Sequence, residues 1–518
     1  MTMTRRSLLN AAAAAGLGLS AGARAKESGA ASGKGGIALG ARPGPFTSSV
    51  ASLETYRTPD WFRDAKFGIW SHWGPQAVPG QGDWYARNLY APGHPHYDYH
   101  VKTYGHPSKF GYKDIIPLWK AERFDPEALM ARYAAAGAKY FVSMGVHHDN
   151  FDLWNSRHHR WNAAAMGPKR DIVGAWKAAA KAHGLRFGVS EHLGASYCWS
   201  YPNHLFDQFW GRMDADYDGA DPAYADLYHD NRDEPYRGNA QTWYTKNPKF
   251  HRHWFDRITD LIDSYQPDLL YSDGGIPFGD VGRTMVAHLY NSSIARSGKL
   301  EAVYAHKFGP GEFLPKAALQ DVERGALEGI NPLPWQTDTS NGDWFFNDRF
   351  PYKTAPEVIS MLADIVSKNG NLLLNIVQHA DGSLPPQSEE LLAGLTAWMK
   401  VNSEAIHGTR PWKVFGEGPT NTKAGAFNES GTYTAQDIRF TTKSGALYAI
   451  LLGWPQGPSA IRSLGGDALP DARIERVDLL GGPKLRFQRD AGALQLTLPP
   501  PQGGASFPVV RIRGRGLT

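Results

Sequence analysis

From near Thr58 to about residue 400, short apolar runs alternate with longer segments of helical period. Strands buried on both faces read as unbroken apolar runs, so Tyr140 to Val146 predicts a core strand that stops where His147, His148 and Asp149 begin. Leu185 to Ser190 ends the same way before Glu191 and His192, and Leu269 to Ser272 ends before Asp273, Gly274 and Gly275. Ahead of that last run, Trp254, Phe255, Ile258, Leu261, Ile262 and Tyr265 share one helical face, which Pro267 closes. Asp171 to His183 reads as an Ala-rich helix with Gly184 as its left-handed cap. Further strands are expected at Lys66–His72, Ala302–His306, Ala318–Val322, Trp335–Asp338 and Asn371–Val377. Strand and helix in alternation imply crossover units and a parallel sheet. The strands number about eight, enough to close a (β/α)8-like TIM barrel with its reactive groups on carboxyl-end loops. A doubly wound open sheet is the alternative, but neither G-x-G-x-x-G nor a P-loop occurs in the chain.

Beyond a last helix at Pro386 to Asn402 the texture changes. Leu494 to Leu498 and Val510 to Ile512 alternate apolar with polar, and turn residues such as Gly481, Gly482 and Pro483 recur between such runs. That pattern predicts an antiparallel β-sandwich. The expected division is a catalytic domain over 51–408 and a β-sandwich over 409–518, an α/β architecture followed by an all-β one.

The amino end fits neither pattern. Arg5 and Arg6 lead into an Ala/Leu/Gly stretch that exits through Ala23, Arg24 and Ala25, the layout of a twin-arginine-type signal peptide over 1–25. Such a signal places the protein in the periplasm or outside a bacterial cell. Residues 26–50, rich in Gly, Ala, Ser and Pro, are expected to form a flexible leader. Losing 1–25 removes three arginines and no acid, so the formal charge falls from +4 to +1. Basic residues form no stripe, which argues against nucleic acid and against an anionic membrane after signal removal. Cys198 is the only cysteine, so an intrachain disulfide is excluded.

The candidate chemistry gathers at strand ends. It consists of carboxylates, imidazoles and aromatic rings, with no G-x-S-x-G nucleophile motif. This inventory suits a sugar acetal, where one carboxylate attacks and a protonated carboxyl helps the leaving group depart. Asp273, fixed by a buried strand, is the candidate nucleophile; a simple Asp-Gly-Gly turn is the bland reading. His147 and His148 with Asp149 offer metal-ligand types, but neighbouring strand residues point to opposite faces, so no metal and no cofactor are expected. Hydrogen bonding to sugar hydroxyls is the expected role of these histidines and of His72, with Trp84 as a stacking platform. The 17 Trp, 23 Tyr and 23 Phe are compatible with a carbohydrate ligand.

Taken in order, Lys66 to Gly74, Asp83-Trp84-Tyr85, His147-His148-Asp149 with Phe151 and Trp154, Gly167 to Asp171, and Asp273-Gly274 resemble the motifs of the retaining α-L-fucosidase family. Leu447 to Ile450, leading to Gly453-Trp454-Pro455, resembles that family's β-sandwich. The resemblance implies a (β/α)8-like barrel with a C-terminal β-sandwich. It also implies metal-free hydrolysis of terminal α-L-fucosyl linkages in a fucosylated oligosaccharide or glycoconjugate through a covalent fucosyl-enzyme. It makes Asp273 the nucleophile and assigns sugar binding to His72, Asp83, Trp84, His147, His148, Tyr271 and Lys307. Glu323 is the expected acid/base, with Glu328, Glu312 and Glu301 as rivals. Three departures stand out: Asp83 where relatives carry Glu, Lys307 where they carry Arg, and Gln336 where they often carry Glu. A fucose-binding protein without turnover, and a hydrolase of L-galactosides, are the alternative expectations.

Overall fold

The computed structural model describes residues 39–204, 216–231, 234, 240–420, 422–429, 431–501 and 507–518. The expected signal segment and the leader up to residue 38 lie outside them. The rest of the expected leader is pinned rather than flexible. Asn291 accepts a hydrogen bond from the Phe46 amide at 3.0 Å and donates to the carbonyls of Arg42 and Phe46 at 3.0 and 2.9 Å. Phe46 also packs edge-on against Tyr290 at 5.0 Å. The tie comes from a side chain 245 residues away, so no local pattern announces it.

Eight parallel strands close a barrel: β1 (Phe67–Ser71), β2 (Tyr140–Val146), β3 (Arg186–Glu191), β4 (Leu269–Ser272), β5 (Val303–Lys307), β6 (Leu319–Asp321), β7 (Trp335–Ser340) and β8 (Gly370–Asn375). Ile69 of β1 sits opposite Phe141 on one side and Leu374 on the other, which closes the ring. Every residue of β1, β2 and β4 is buried, as their apolar runs require. Within the barrel Tyr140 crosses beside Gly68, where any Cβ would stand 2.3 Å from the Tyr140 ring. Its hydroxyl then donates to Gln336 on β7 at 3.0 Å.

Helices wrap the strands, among them α1 (Ile172–Ala182), α2 (Pro248–Tyr265), α3 (Asp280–Ser297), α4 (Ala355–Ser367) and α5 (Pro386–Asn402). The Asp171 carboxylate caps α1 by accepting from the Gly174 amide at 2.9 Å. Helix α2 ends at Gln266, whose φ of 47° turns the chain left-handed one residue before Pro267.

The C-terminal part holds β9 (Arg410–Glu417), β10 (Ile438–Lys443), β11 (Ala446–Leu451), β12 (Ser459–Ile461), β13 (Arg473–Leu479), β14 (Phe487–Arg489), β15 (Leu494–Leu496) and β16 (Val509–Arg515). They form antiparallel sheets ordered β13-β16-β11-β10-β9 and β12-β15-β14. Strand β11 serves two cores: Leu447, Ala449 and Leu451 face the sandwich interior, while Tyr448 and Ile450 join the core of the barrel domain. A buried ion pair between Arg439 and Asp364 of α4, at 2.6 Å, ties the two domains.

Candidate active site

The carboxyl ends of β4 to β7 converge on one ammonium. Asp273 follows β4 directly, its amide donating to the Glu191 carbonyl at 3.1 Å. Lys307 ends β5 and places Nζ 3.0 Å from Asp273 Oδ1, 2.8 Å from Glu323 Oε2 and 3.3 Å from Asp338 Oδ2. The ammonium donates hydrogen bonds to Asp273 and Glu323, and Asp338 is held as an ion pair. Asp273 and Glu323 are 19% and 20% exposed while Asp338 is at 0%, so only the first two acids meet incoming substrate. Behind them Tyr271 donates to Asp338 at 3.0 Å, and Gln336 donates to Asp321 at 2.6 Å.

Burial alone would raise the Asp273 carboxyl. The Lys307 charge, then His192 and the hydrogen bond from His148, outweigh it and hold Asp273 well below the usual carboxylate range. Burial likewise opposes the Lys307 charge, yet Asp273, Asp338 and Glu323 push its pKa well above that of a free lysine. Asp321 lies beyond Lys307's direct reach; burial and the neighbouring Asp338 raise it well above the ordinary value.

The ends of β1 to β3 supply imidazoles. His72, His147, His148 and His192 are all buried, with ring centroids 4.6 to 5.2 Å apart for the close pairs. Burial, then neighbouring histidines, hold His72 and His147 well below their ordinary value; burial holds His192 down to about 4. The Gln76 amide, oriented by accepting from the Ala86 N–H at 3.2 Å, donates to His147 Nδ1 at 2.8 Å. His147 therefore carries its proton on Nε2, which faces Asp83 at 3.7 Å. His148 bonds the His192 carbonyl through Nδ1 at 2.8 Å and faces Asp273 through Nε2 at 3.2 Å. Among the described residues, both ring nitrogens of His72 have no hydrogen-bond partner. Buried donors and acceptors left without a partner are what a polyhydroxylated ligand completes.

The expectation that adjacent His147 and His148 point apart does not hold. Strand β2 stops at Val146 with a register shift after Met144, so both rings lie past the pleat. Ligand atoms of His147, His148 and His192 come within 4.8 Å of one another, as do those of His72, Asp83 and His147. The bonds to Gln76 and to the His192 carbonyl occupy Nδ1 of His147 and His148, and Nε2 of each ring faces a carboxylate, Asp83 and Asp273 respectively. Asp149 faces away from this cluster, accepting from the Tyr112 hydroxyl at 2.5 Å.

Trp84 holds a left-handed φ of 64°, lies 6.2 Å from Trp243 in a stacked pair and stands perpendicular to the His148 ring at 6.3 Å. Backbone strain of this kind persists where packing over-determines it. Of the residues expected to bind the sugar, Tyr271 and Lys307 direct their polar atoms at the carboxylates. Among the rival acids, Glu301 pairs with Arg186 at the opposite end of the barrel, Glu312 pairs with Arg283 of α3, and Glu328 is exposed. Sequence reasoning missed His192, Asp338 and Trp344, which stacks on His72 at 5.2 Å. His192 and Asp338 stand at strand ends already marked, so the same rule applied to every strand would have found them.

Paired carboxylates at the mouth of a closed parallel barrel, faced by open imidazoles and indoles, define a barrel glycoside hydrolase. The family model described as Alpha-L-fucosidase matches residues 38–404, and the chain belongs to that family. It is 29% identical over 422 residues to a tissue alpha-L-fucosidase of Macaca fascicularis, covering 79% of each chain. It is 29% identical over 430 residues to a plasma alpha-L-fucosidase of Homo sapiens, again covering 79% of each. The Thermotoga maritima alpha-fucosidase in complex with fucose superposes with a TM-score of 0.68 at 27% identity, over 90% of this chain and 99% of that one.

Proposed function

We propose that the protein is an exo-acting, retaining α-L-fucosidase that releases terminal fucose from a fucosylated oligosaccharide or glycoconjugate. The observation that carries this reading is one ammonium shared by two partly exposed carboxylates. Lys307 Nζ is 3.0 Å from Asp273 and 2.8 Å from Glu323, which bounds the gap between those oxygens by the sum of the two distances. Retaining pairs stand roughly 5 to 5.5 Å apart and inverting pairs roughly 6.5 to 9.5 Å, so the spacing favours direct attack.

In the first step Asp273 bonds to the anomeric carbon while Glu323 gives its proton to the departing glycosidic oxygen. The glycosidic bond breaks and a fucosyl ester remains. In the second step Glu323 takes a proton from water as the water oxygen attacks the anomeric carbon, and Asp273 leaves as a carboxylate. Lys307 serves both steps. Its charge first offsets the Asp273 anion; once Asp273 is esterified, the charge falls to Glu323 acting as base. The ring nitrogens of His72 and Nε2 of His192 answer the sugar hydroxyls, and Trp84 packs against an apolar face of the ring. Export through the 1–25 segment would put this activity in the periplasm or outside the cell.

The test is turnover of an aryl α-L-fucoside by the wild type and by Asp273→Ala, with and without azide. Expected are hydrolysis by the wild type, a loss of at least about 10³-fold in Asp273→Ala, and partial recovery with azide. Saturable fucose binding without turnover by the wild type would instead establish a binding protein on the same fold.

A further inference from the structure

The loop carrying Glu323 leans on the C-terminal part of the chain. Between β9 and β10 the connection returns to the barrel mouth, where the Phe427 amide donates to the Glu323 carbonyl at 2.9 Å. Two residues earlier, the Gly425 amide donates to the Ala326 carbonyl at 2.9 Å, so the two segments pair as a short antiparallel bridge. Glu429 then locks the pair from the side. Its carboxylate meets Lys353 at 2.8 Å and Arg324 at 3.4 Å, and accepts from the Thr339 hydroxyl on β7. Arg324 in turn lies over the Trp344 ring, 4.8 Å from its centroid.

Two further features tie this contact to Glu323. Arg324 and Phe427, on either side of the bridge, both hold left-handed backbones, with φ of 43° and 59°. Such strain in non-glycine residues is kept only where the surroundings impose it. The approach is also close enough to need glycine: a Cβ on Gly325 would stand 2.6 Å from the Gly425 carbonyl oxygen.

We propose that the β9–β10 connection is a working part of the active site, a brace from the second domain in which Glu429 and the Phe427 backbone position the general acid Glu323. This rests on the reading of Glu323 as acid/base given above. Phe427 and Glu429 do not transfer the proton; they fix the backbone from which Glu323 reaches the glycosidic oxygen. A displaced acid hurts only substrates that need it. Dinitrophenoxide leaves unaided, whereas the oxygen of a fucosyl disaccharide must be protonated as it departs.

The experiment compares kcat/KM on 2,4-dinitrophenyl α-L-fucoside and on a fucosyl disaccharide for the wild type, Glu429→Gln, Gly325→Ala and Glu323→Ala, all as the full chain. Glu429→Gln keeps shape but loses the ion pairs, and Gly325→Ala wedges the two segments apart without touching a charge. The expected result is a loss on the disaccharide about 10-fold larger than on the dinitrophenyl substrate for both brace variants, in the direction of the larger selective loss of Glu323→Ala. Parallel losses on the two substrates, or no loss, in both brace variants beside a selective Glu323→Ala would overturn the brace and leave the acid assignment standing. An unselective Glu323→Ala would overturn the acid assignment and the brace with it, and an inactive wild type would overturn the fucosidase reading itself.

Discussion

The two halves of the pocket solve burial in opposite ways. The half built on β1 to β3 presents His72, His147 and His192, imidazoles kept neutral by burial, and among the described residues the ring nitrogens of His72 have no hydrogen-bond partner. The half built on β4 to β7 gathers its acids around one cation, Lys307, which holds the Asp273 carboxyl low while burial and Asp338 raise Asp321. Neutral groups are cheap to hide and suit reversible contact with hydroxyls. Charges are costly to hide and persist only in matched sets. Recognition and chemistry are thus divided between neighbouring strands of one barrel.

Removing the shared cation breaks the comparison hardest. Lys307→Met leaves Asp273, Glu323 and Asp338 without their counter-charge, and losing one partner of a buried set costs about 3 to 5 kcal/mol. Urea unfolding should show a stability loss of that order, accompanied by a fall in kcat. A variant as stable as the wild type would mean that the carboxylates are not charged together.

The imidazole side should respond more mildly and in a different kinetic constant. His72→Ala removes hydrogen bonds from a neutral group, worth about 0.5 to 1.5 kcal/mol, so KM should rise by about 2- to 10-fold with kcat nearly kept. A collapse of kcat at unchanged KM would move His72 into the chemical half.

The smallest effect is on the pH dependence of stability, which the buried histidines and Asp321 should pull in opposite directions. His72, His147 and His192 have folded pKa values below the ordinary 6.5. Below about 6.5 the unfolded chain therefore binds more protons, and the stability they contribute is lost as pH falls toward the folded values. Asp321 is raised instead, so its contribution is present at low pH and lost as pH rises through its folded value. Urea midpoints measured from pH 7 down to pH 5 should fall for the wild type and fall less for His72→Phe. Identical slopes for the two proteins would remove His72 from the account.

What was legible in the chain follows from the same physics. Strands buried on both faces have no freedom to be polar, so β1, β2, β4 and β8 stand out as apolar runs, and Asp273 was marked simply by ending one. Strand β6 keeps only Leu319–Asp321 of the expected Ala318–Val322, too short for periodicity to speak. The adjacency of His147 and His148 misled because the alternation rule holds inside a strand, and these residues lie just beyond one. The roles of Lys307 and Tyr271 depend on which neighbour each meets across the barrel. Residue types do not reveal that, since both suit a sugar equally well. The hold on residues 39–46 was invisible because a Gly/Pro-rich stretch shows no pattern of its own.

The β9–β10 connection bears on how such a chain is inherited and recombined. Read linearly, the barrel and the sandwich look like separable modules with a seam near residue 409. In three dimensions the segment that grips the Glu323 loop is encoded after that seam. An exchange of C-terminal domains between relatives would therefore transplant part of the catalytic apparatus along with the appendage, and a barrel and sandwich with separate histories would meet as strangers at the carbonyl of Glu323.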